Sequence, residues 1–255
     1  MRSSGALLPL LVLAVAVVGA CGGEDDEEAI RETIRSSLTS TEPDDCAGRD
    51  TTTASFRRQY AFGSAALARQ YEKLCRAEIE KLAATSVRVF DVGVDGDRAQ
   101  ASFSAMGGQY VLADARVQLR RDDDRWRLDR FTTVKLERDA FDAQQVKLAT
   151  GGRLGFSRED AACFARRLKR VSDAALERAI AQPDPAVFTD PLLICFVRPK
   201  LREYGLSNRR TRCVILRLRR EADEVARIAL AAASARADQS ELQDLVVRAA
   251  TACMD

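Results

Sequence analysis

Cysteine is the residue type in this chain with the clearest capacity for covalent chemistry. The sequence has seven cysteines and no histidine. Without histidine, the chain lacks the Ser-His-Asp and Cys-His catalytic systems and the commonest transition-metal ligand. No two cysteines have the close spacing of a zinc site, so we expect no metal and no cofactor. Carboxylates, lysines and tyrosines remain available for acid–base chemistry, but no catalytic residue is assigned.

Six of the cysteines form an even set that is spread along the chain. An even set predicts disulfides in a protein that folds in an oxidising compartment, and reduced core cysteines in one that does not. Six cysteines allow many pairings, but their distribution favours bonds between sequence neighbours. The expected pairs are Cys46 with Cys75, Cys163 with Cys195, and Cys213 with Cys253.

Cys21 differs from the other six because it ends an apolar leader. Arg2 is the only charged residue before Glu24, and the run from Gly5 to Ala20 is uncharged. This run is shorter than the roughly 20 apolar residues that span a bilayer as a helix, and no basic flank follows it. The leader therefore predicts a signal peptide over residues 1–20.

The residues Val18-Gly19-Ala20-Cys21 resemble the lipobox of bacterial lipoprotein precursors. In that family the cysteine thiol receives a diacylglycerol and cleavage falls just before it. The resemblance implies an acylated mature chain that begins at Cys21, anchored on the extracytoplasmic face of the cell membrane. The alternative is an ordinary secretory signal followed by a chance cysteine. The expected partners are the membrane, through the lipid anchor, and an envelope protein or hydrophobic ligand. No nucleic acid is expected.

The first half of the chain predicts an α+β domain over residues 29–136. Apolar residues at helical spacing predict helices within 28–38 and 66–82. An apolar period of two then begins, and short turns such as Asp95-Gly96-Asp97 divide it into four strands. We expect an antiparallel meander with the helices packed on its concave face.

This order of elements, with Asp-Arg-Trp-Arg-Leu at 124–128 opening the last strand, resembles the SnoaL-like superfamily. That superfamily shares its cone fold with nuclear transport factor two. Catalytic members generally place acid–base residues at the cone mouth, and this chain has no histidine to match theirs. Many members without such residues serve as binding or assembly modules. Six aromatic residues are candidates for lining a pocket, with core packing the favoured interpretation: Tyr60, Phe62, Tyr71, Phe103, Tyr110 and Trp126.

The second half predicts an all-α domain of two repeats. At an offset of 50 residues, Ser157 aligns with Ser207 and Cys163 with Cys213. Each serine predicts a helix start, and each repeat predicts a helical hairpin whose opening and closing cysteines pair. In the first repeat, Asp190-Pro191 is expected to open the returning helix.

The composition shifts along the chain predict five segments. They are a lipoprotein signal peptide at 1–20, a flexible acidic tether at 21–28, a SnoaL-like domain at 29–136, a connector with a helical piece at 137–154, and a helical repeat domain at 155–255, divided into 155–204 and 205–255.

Arginine is concentrated in the opening helix of each repeat. The net charge is −4 over residues 22–150 and +5 over residues 151–255. Guanidinium groups suit phosphates, so one interpretation is a basic face for anionic headgroups or wall polymers. The favoured alternative is a solvated face balanced by nearby carboxylates. The candidate anion-binding residues are Arg166, Arg167, Arg170, Arg217, Arg219 and Arg220.

Three classes of function fit these features. The favoured class is a membrane-anchored, non-catalytic binding or assembly module of the cell envelope. The second is a SnoaL-like enzyme that uses a carboxylate or a tyrosine in the cone, although no pair such as Asp114 and Tyr110 stands out as catalytic. An open cone with a buried carboxylate would favour the enzyme, and a cone filled by side chains would disfavour it. The third is a passive structural envelope protein.

Overall fold

A computed structural model describes residues 23–61, 65–150, 157–226 and 240–254. Within these ranges the chain is α+β, with one four-stranded antiparallel sheet and many helices. The signal peptide, Cys21, Phe62 and Gly155 lie outside the described residues. None of the helices inside those ranges combines the length and apolar character needed to cross a bilayer.

The first helix, α1 (Gly23–Thr39), begins inside the segment predicted as a flexible tether. The prediction of a tether over residues 21–28 is therefore wrong from position 23 onward. Acidic residues at positions 24–26 favour a helix start because they interact with the positive end of the helix dipole. Asp26 is also held by the sheet, since its carboxylate accepts a hydrogen bond from the indole Nε1 of Trp126 at 3.1 Å.

The four predicted strands are confirmed. They are β1 (Ser86–Asp95), β2 (Arg98–Gly107), β3 (Tyr110–Asp122) and β4 (Arg125–Leu136). The sheet order is β1-β2-β3-β4, and every neighbouring pair is antiparallel, so the strands form a meander. Asp123 and Asp124, between β3 and β4, have φ of 51° and 58°, a conformation that aspartate adopts more readily than most residues.

One face of the sheet packs against α1. Strand alternation places Val117 and Leu119 on this face, in the same buried cluster as Ile30 and Ile34 of α1, which packs mainly against β1 and β4. All four side chains are at most 1% exposed. Complete burial of one such side chain stabilises the fold by about 1.5–3 kcal/mol, so this contact fixes α1 along the sheet.

Three further elements lie between α1 and the first strand in the sequence. A 3₁₀ turn (Pro43–Ala47) is followed by α2 (Ala54–Tyr60) and α3 (Ala65–Leu82). The second predicted helix is confirmed by α3, whereas α2 was not predicted. Thr53 starts α2 by accepting a hydrogen bond from the backbone N–H of Phe56, and its hydroxyl donates to Asp129 of β4.

The predicted helical piece of the connector is confirmed as α4 (Arg138–Thr150). Phe141 is buried with Val111 of β3 and with Leu168 and Leu176 of the second half. The first part of the predicted connector is therefore a packed helix that joins the sheet to the helices that follow.

The second half is helical in every described range. Its elements are α5 (Arg158–Leu168), α6 (Asp173–Ala181), α7 (Ala186–Leu192), a π-helical segment (Leu193–Val197), α8 (Arg198–Glu203), α9 (Asn208–Arg220), a helical stretch at 222–226, and a C-terminal helix (Ser240–Thr251). As predicted, Ser157 and Ser207 cap α5 and α9 by accepting hydrogen bonds from backbone N–H groups.

The prediction that Asp190-Pro191 opens the returning helix is wrong. That helix begins at Ala186, and Pro191 lies inside α7. The π-helical segment follows, and its wider turn lets the Arg198 N–H donate to the carbonyl oxygen of Leu193, five residues earlier. Proline is costly inside an α-helix because it lacks an N–H donor and its ring clashes with an earlier carbonyl. Here tertiary burial overrides that preference, since Pro191 is buried.

The three predicted disulfides are confirmed. Cys46 bonds Cys75, Cys163 bonds Cys195, and Cys213 bonds Cys253, with Cα–Cα distances of 5.6, 5.7 and 6.0 Å. The first bond ties the 3₁₀ turn to α3. The second ties α5 to the π-helical segment, and the third ties α9 to the chain just beyond the C-terminal helix.

Asp26 is expected to make the fold sensitive to acid. The hydrogen bond from Trp126, together with the Arg121 guanidinium, lowers the pKa of Asp26 below its ordinary value of 3.8. A lowered pKa contributes stability above the unfolded-state pKa, and that stability is lost as the pH falls through the folded-state pKa. Unfolding followed by the fluorescence of Trp126, the only tryptophan, should therefore show a smaller loss of stability below pH ~4 in Asp26→Asn than in the wild type.

The matched control for this prediction is Asp25→Asn. Asp25 lies in the same first turn of α1 but is exposed. It should keep the acid sensitivity of the wild type. Equal acid sensitivity in the wild type and both variants would contradict a role for the Asp26–Trp126 hydrogen bond.

Candidate anion-binding surface

The most basic helix among the described residues is α9. It carries six arginines in 13 residues and no carboxylate. Thr211, Val214, Ile215 and Leu218 are buried, so the arginines occupy the remaining, exposed part of the helix surface. Leu216 lies among them and is 44% exposed. The helix therefore presents an almost entirely cationic face to solvent.

Neighbouring carboxylates neutralise little of this charge. Arg219 pairs with Asp190 of α7, with 2.5 Å between Nε and Oδ1. The described part of the chain gives the other five arginines no ion pair and no side-chain hydrogen bond. They are Arg209, Arg210, Arg212, Arg217 and Arg220. Of the candidates from the second repeat, Arg217 and Arg220 are thus available to a ligand, whereas Arg219 already has a partner.

Of the candidates from the first repeat, Arg170 lies in the α5–α6 turn, and Arg166 and Arg167 lie on α5. Arg170 lines a shallow concavity of about 530 Å³ formed by α4, the α5–α6 turn and the start of α6, and no residue of α9 lines it. Arg166 is exposed and Arg167 half-buried on α5. Among the described residues, Arg166, Arg167 and Arg170 have no ion pair. The structure therefore does not bring all six candidates into one site.

Arg138, which also lines this concavity, already has several partners within the protein. The Arg138 guanidinium bonds Asp142 at 3.1 Å and Asp173 at 2.6 Å. It also donates to the carbonyl oxygens of Leu168 and Val171. Arg138 is therefore a structural bridge between α4 and the α5–α6 turn, and it has little capacity left for a ligand.

A smaller concavity of about 200 Å³ lies beside the Cys46–Cys75 bond. Its main cation, Arg76, is paired with Asp44 and Glu72 at 3.1 and 3.2 Å. Across the described ranges, no three metal-ligating side chains lie close enough together to hold a metal ion. This concavity therefore offers no metal site, and of its two arginines Arg76 is paired while Arg49 has no ion pair among the described residues.

Aromatic side chains fill the interior between the sheet and the helices. Phe56 and Tyr60 of α2 stack with ring centroids 4.4 Å apart. Phe131 of β4 lies 5.6 Å from Tyr60 and 6.0 Å from Phe103. Burial raises the pKa of Tyr60, which disfavours its ionised form. Phe103 is in the buried core, the other three are half-buried, and Phe56 and Phe131 pack against that core. Neither concavity described above opens between the sheet and the helices.

The remaining candidate aromatics do not join this cluster to form a pocket. Trp126 is 4% exposed and donates to Asp26. Tyr71 donates to Gln109 Oε1 at 2.9 Å, and the Gln109 amide donates to the Tyr110 hydroxyl at 3.0 Å. Tyr110 therefore already has a hydrogen-bond partner outside the aromatic core.

Asp114 is the one carboxylate of the described residues with a buried oxygen, Oδ1, that lacks a hydrogen-bond partner. It lies opposite Lys135 in the register of β3 and β4, next to Ala115, whose side chain is in the core. Successive strand residues point to opposite faces, so Asp114 shares the outer face with Lys135. Lys135 bonds Glu177 of α6 at 3.0 Å. The buried carboxylate is therefore on the face away from the aromatic core.

Comparison of the chain with protein-family models, curated proteins and solved structures gives no significant match.

Proposed function

We propose that this chain is a membrane-anchored, extracytoplasmic lipoprotein that serves as a non-catalytic binding or assembly module of the cell envelope. Cys21, at the end of the lipobox-like sequence, is the lipidated residue. Acylation by two or three chains gives stable attachment, because each buried methylene contributes about 0.8 kcal/mol and one chain alone is marginal.

The observation that carries this proposal is the distribution of the cysteines. Three disulfides take up six of the seven, and Cys21 is the cysteine left over. Disulfides persist in oxidising compartments and are rare in the cytoplasm. The disulfides therefore support export, and the leftover thiol at the end of the leader is the one that the lipobox resemblance assigns to the lipid.

The finer description of the fold belongs to the same proposal. We assign the meander with α1 and α3 to a SnoaL-like cone and the second half to two disulfide-linked helical hairpins. Supporting the first assignment, helices precede a four-stranded antiparallel meander. The hairpin assignment is supported by Ser157 and Ser207, which start α5 and α9 at the predicted offset. Each of these two helices contains a cysteine that is bonded to a later cysteine.

A SnoaL-like enzyme remains the second candidate because Asp114 has a buried, unpartnered oxygen. Two observations weigh against it: aromatic side chains occupy the interior, and Asp114 is on the other face of the sheet. A purely structural role, the third candidate, predicts that substitutions on the surface leave function unchanged. The exposed arginines of α9 favour a binding role over a purely structural one. Unpaired like charges on one face repel one another and destabilise the fold, whereas they attract an anionic ligand.

The test of the proposal is metabolic labelling of cells with an alkyne-bearing fatty acid, followed by mass spectrometry of the amino-terminal peptide. We expect the label on Cys21 and no alkylation of the other cysteines unless the protein is first reduced. An unlabelled mature chain with six freely alkylatable sulfhydryls would contradict the proposal.

A further inference from the structure

The direction of α1 shows which end of the sheet lies nearest to Cys21. At the start of α1, Asp26 bonds Trp126 and Arg121, next to the β3–β4 turn. At its other end, the Leu38 carbonyl accepts a hydrogen bond from the Ala84 N–H, just before β1. Helix α1 therefore runs along the sheet away from the β3–β4 turn. The Arg121 N–H donates to the Asp97 carbonyl, so the β1–β2 turn lies at the same end.

The helical half meets the sheet at the opposite end. This contact includes Val111 at the start of β3, Leu136 at the end of β4, and Leu168 and Leu176 of α5 and α6. Helix α6 also packs along β4, and its last residue, Ala181, joins the sheet core. The Glu177 carboxylate accepts a hydrogen bond from the Leu136 N–H at 3.2 Å. From this contact, α9 is reached through α7, the π-helical segment and α8, on which it packs.

If the proposed anchor is present, these two observations bear on the distance between the membrane surface and the helical half. Gly22 alone separates Cys21 from α1, and two residues of extended chain reach about 7 Å. The two hairpin turns would then lie at the membrane surface. The strand β3 between Arg121 and Val111 spans about 33 Å at about 3.3 Å per residue. Where the strands stand along the membrane normal, the contact at Val111 and Leu136 lies several Debye lengths from the headgroups, since that length is about 8 Å at physiological ionic strength.

On this basis, which rests on the proposed function, we infer that the cationic face of α9 binds a phosphate-bearing polymer that lies beyond the membrane surface. Four residues of this face, Arg209, Arg212, Leu216 and Arg220, follow one another at intervals of three or four positions, so their side chains form a row along the helix. Guanidinium groups bind phosphate in a forked geometry.

The shape of the surface favours a polymer over a small anion. Neither of the two concavities described above includes α9, and the arginines of this face are exposed along the outside of the helix. Single exposed charge pairs contribute little to affinity. Appreciable affinity at such a surface therefore requires several arginines to engage successive charges of one chain.

The inference is tested with the mature protein in nonionic detergent and fluorescent sodium polyphosphate, by anisotropy over a range of salt concentrations. The variant replaces Arg209, Arg212, Arg217 and Arg220 with glutamine. The matched control replaces four exposed sheet arginines that lack ion pairs: Arg88, Arg98, Arg116 and Arg120. We expect the α9 variant to bind at least tenfold more weakly and to lower the log–log salt slope by about 3, and the control to bind like the wild type.

A second arm separates the polymer from lipid headgroups. The acylated protein is placed in vesicles of phosphatidylcholine, with and without phosphatidylglycerol, and polyphosphate binding is measured again. Unchanged binding supports the inference, whereas binding abolished by phosphatidylglycerol would place the α9 face on the headgroups and overturn it. Equal binding by the α9 variant and the control, or no polyphosphate binding at all, would also overturn it. Failure of acylation alone would contradict the anchor and leave the detergent measurement to decide on the α9 face.

Discussion

Replacement of Cys21 by serine is expected to move the protein almost completely from the membrane fraction to the soluble fraction. Serine has no thiol to accept a diacylglycerol, and the described residues contain no helix that could span a bilayer in its place. Each methylene of a lost chain removes about 0.8 kcal/mol of membrane affinity, so the loss of two chains leaves no stable attachment. The measurement is the distribution of the protein between high-speed pellet and supernatant after mild lysis.

The control for this prediction removes one disulfide-bonded pair of cysteines and leaves Cys21 in place. The variant Cys46→Ala/Cys75→Ala loses one disulfide but keeps Cys21, and it should stay with the membrane. If Cys21→Ser also stayed in the pellet after washes with high salt and with carbonate, the lipid would not be the anchor. The proposed function would then lose its main support.

The sheet could be predicted from the sequence because local and tertiary preferences agree there. Alternating apolar residues such as Val87 and Val89 favour a strand, and Asp95-Gly96-Asp97 favours a tight turn, so each hairpin is encoded within a few residues. The disulfide pairing was predictable for a similar reason, because neighbouring cysteines along the chain lie on elements that pack together.

The errors fall where tertiary contacts decide local structure. The acidic residues at 24–26 are typical of a solvated spacer, but Asp26 finds Trp126 and Arg121 about a hundred positions away. The short helix α2 has only one apolar pair at helical spacing, Phe56 and Tyr60, and its start depends on Thr53, which is fixed by Asp129. Pro191 is typical of a helix start, yet it is buried within α7. None of these partners is visible in the local sequence.

The candidate surface was predictable in composition but not in arrangement. The sequence indicated that α9 and α5 are rich in arginine, but not that α9 leaves five of its six arginines without an ion pair. The sequence also does not indicate that Arg138 forms ion pairs with Asp142 and Asp173. Nor does it indicate that Arg170 lines a concavity to which Arg217 does not contribute. Charge balance depends on which carboxylates the fold brings near.

Loss of the Cys163–Cys195 disulfide is expected to destabilise the protein more than loss of either other disulfide. The sequence separations of 29, 32 and 40 residues are similar, so the chain-entropy model gives each bond about 4 kcal/mol. Cys195 is 3% exposed and lies in the π-helical segment between α7 and α8. Its truncation to alanine adds a cavity cost, for a total of about 4–6 kcal/mol.

Such a loss is comparable to the whole stability of many domains, which is about 5–15 kcal/mol. We therefore expect Cys163→Ala/Cys195→Ala to unfold at a much lower urea concentration than Cys46→Ala/Cys75→Ala, whose cysteines are only half-buried. Circular dichroism during urea unfolding measures the difference, and mass spectrometry after alkylation verifies that the remaining disulfides are intact. If the double variant does not fold at all, partial reduction of the wild type, with each opened bond identified by alkylation, gives the same ranking. An equal shift for both pairs would mean that chain entropy alone sets the contribution of these bonds and that the burial of Cys195 adds nothing.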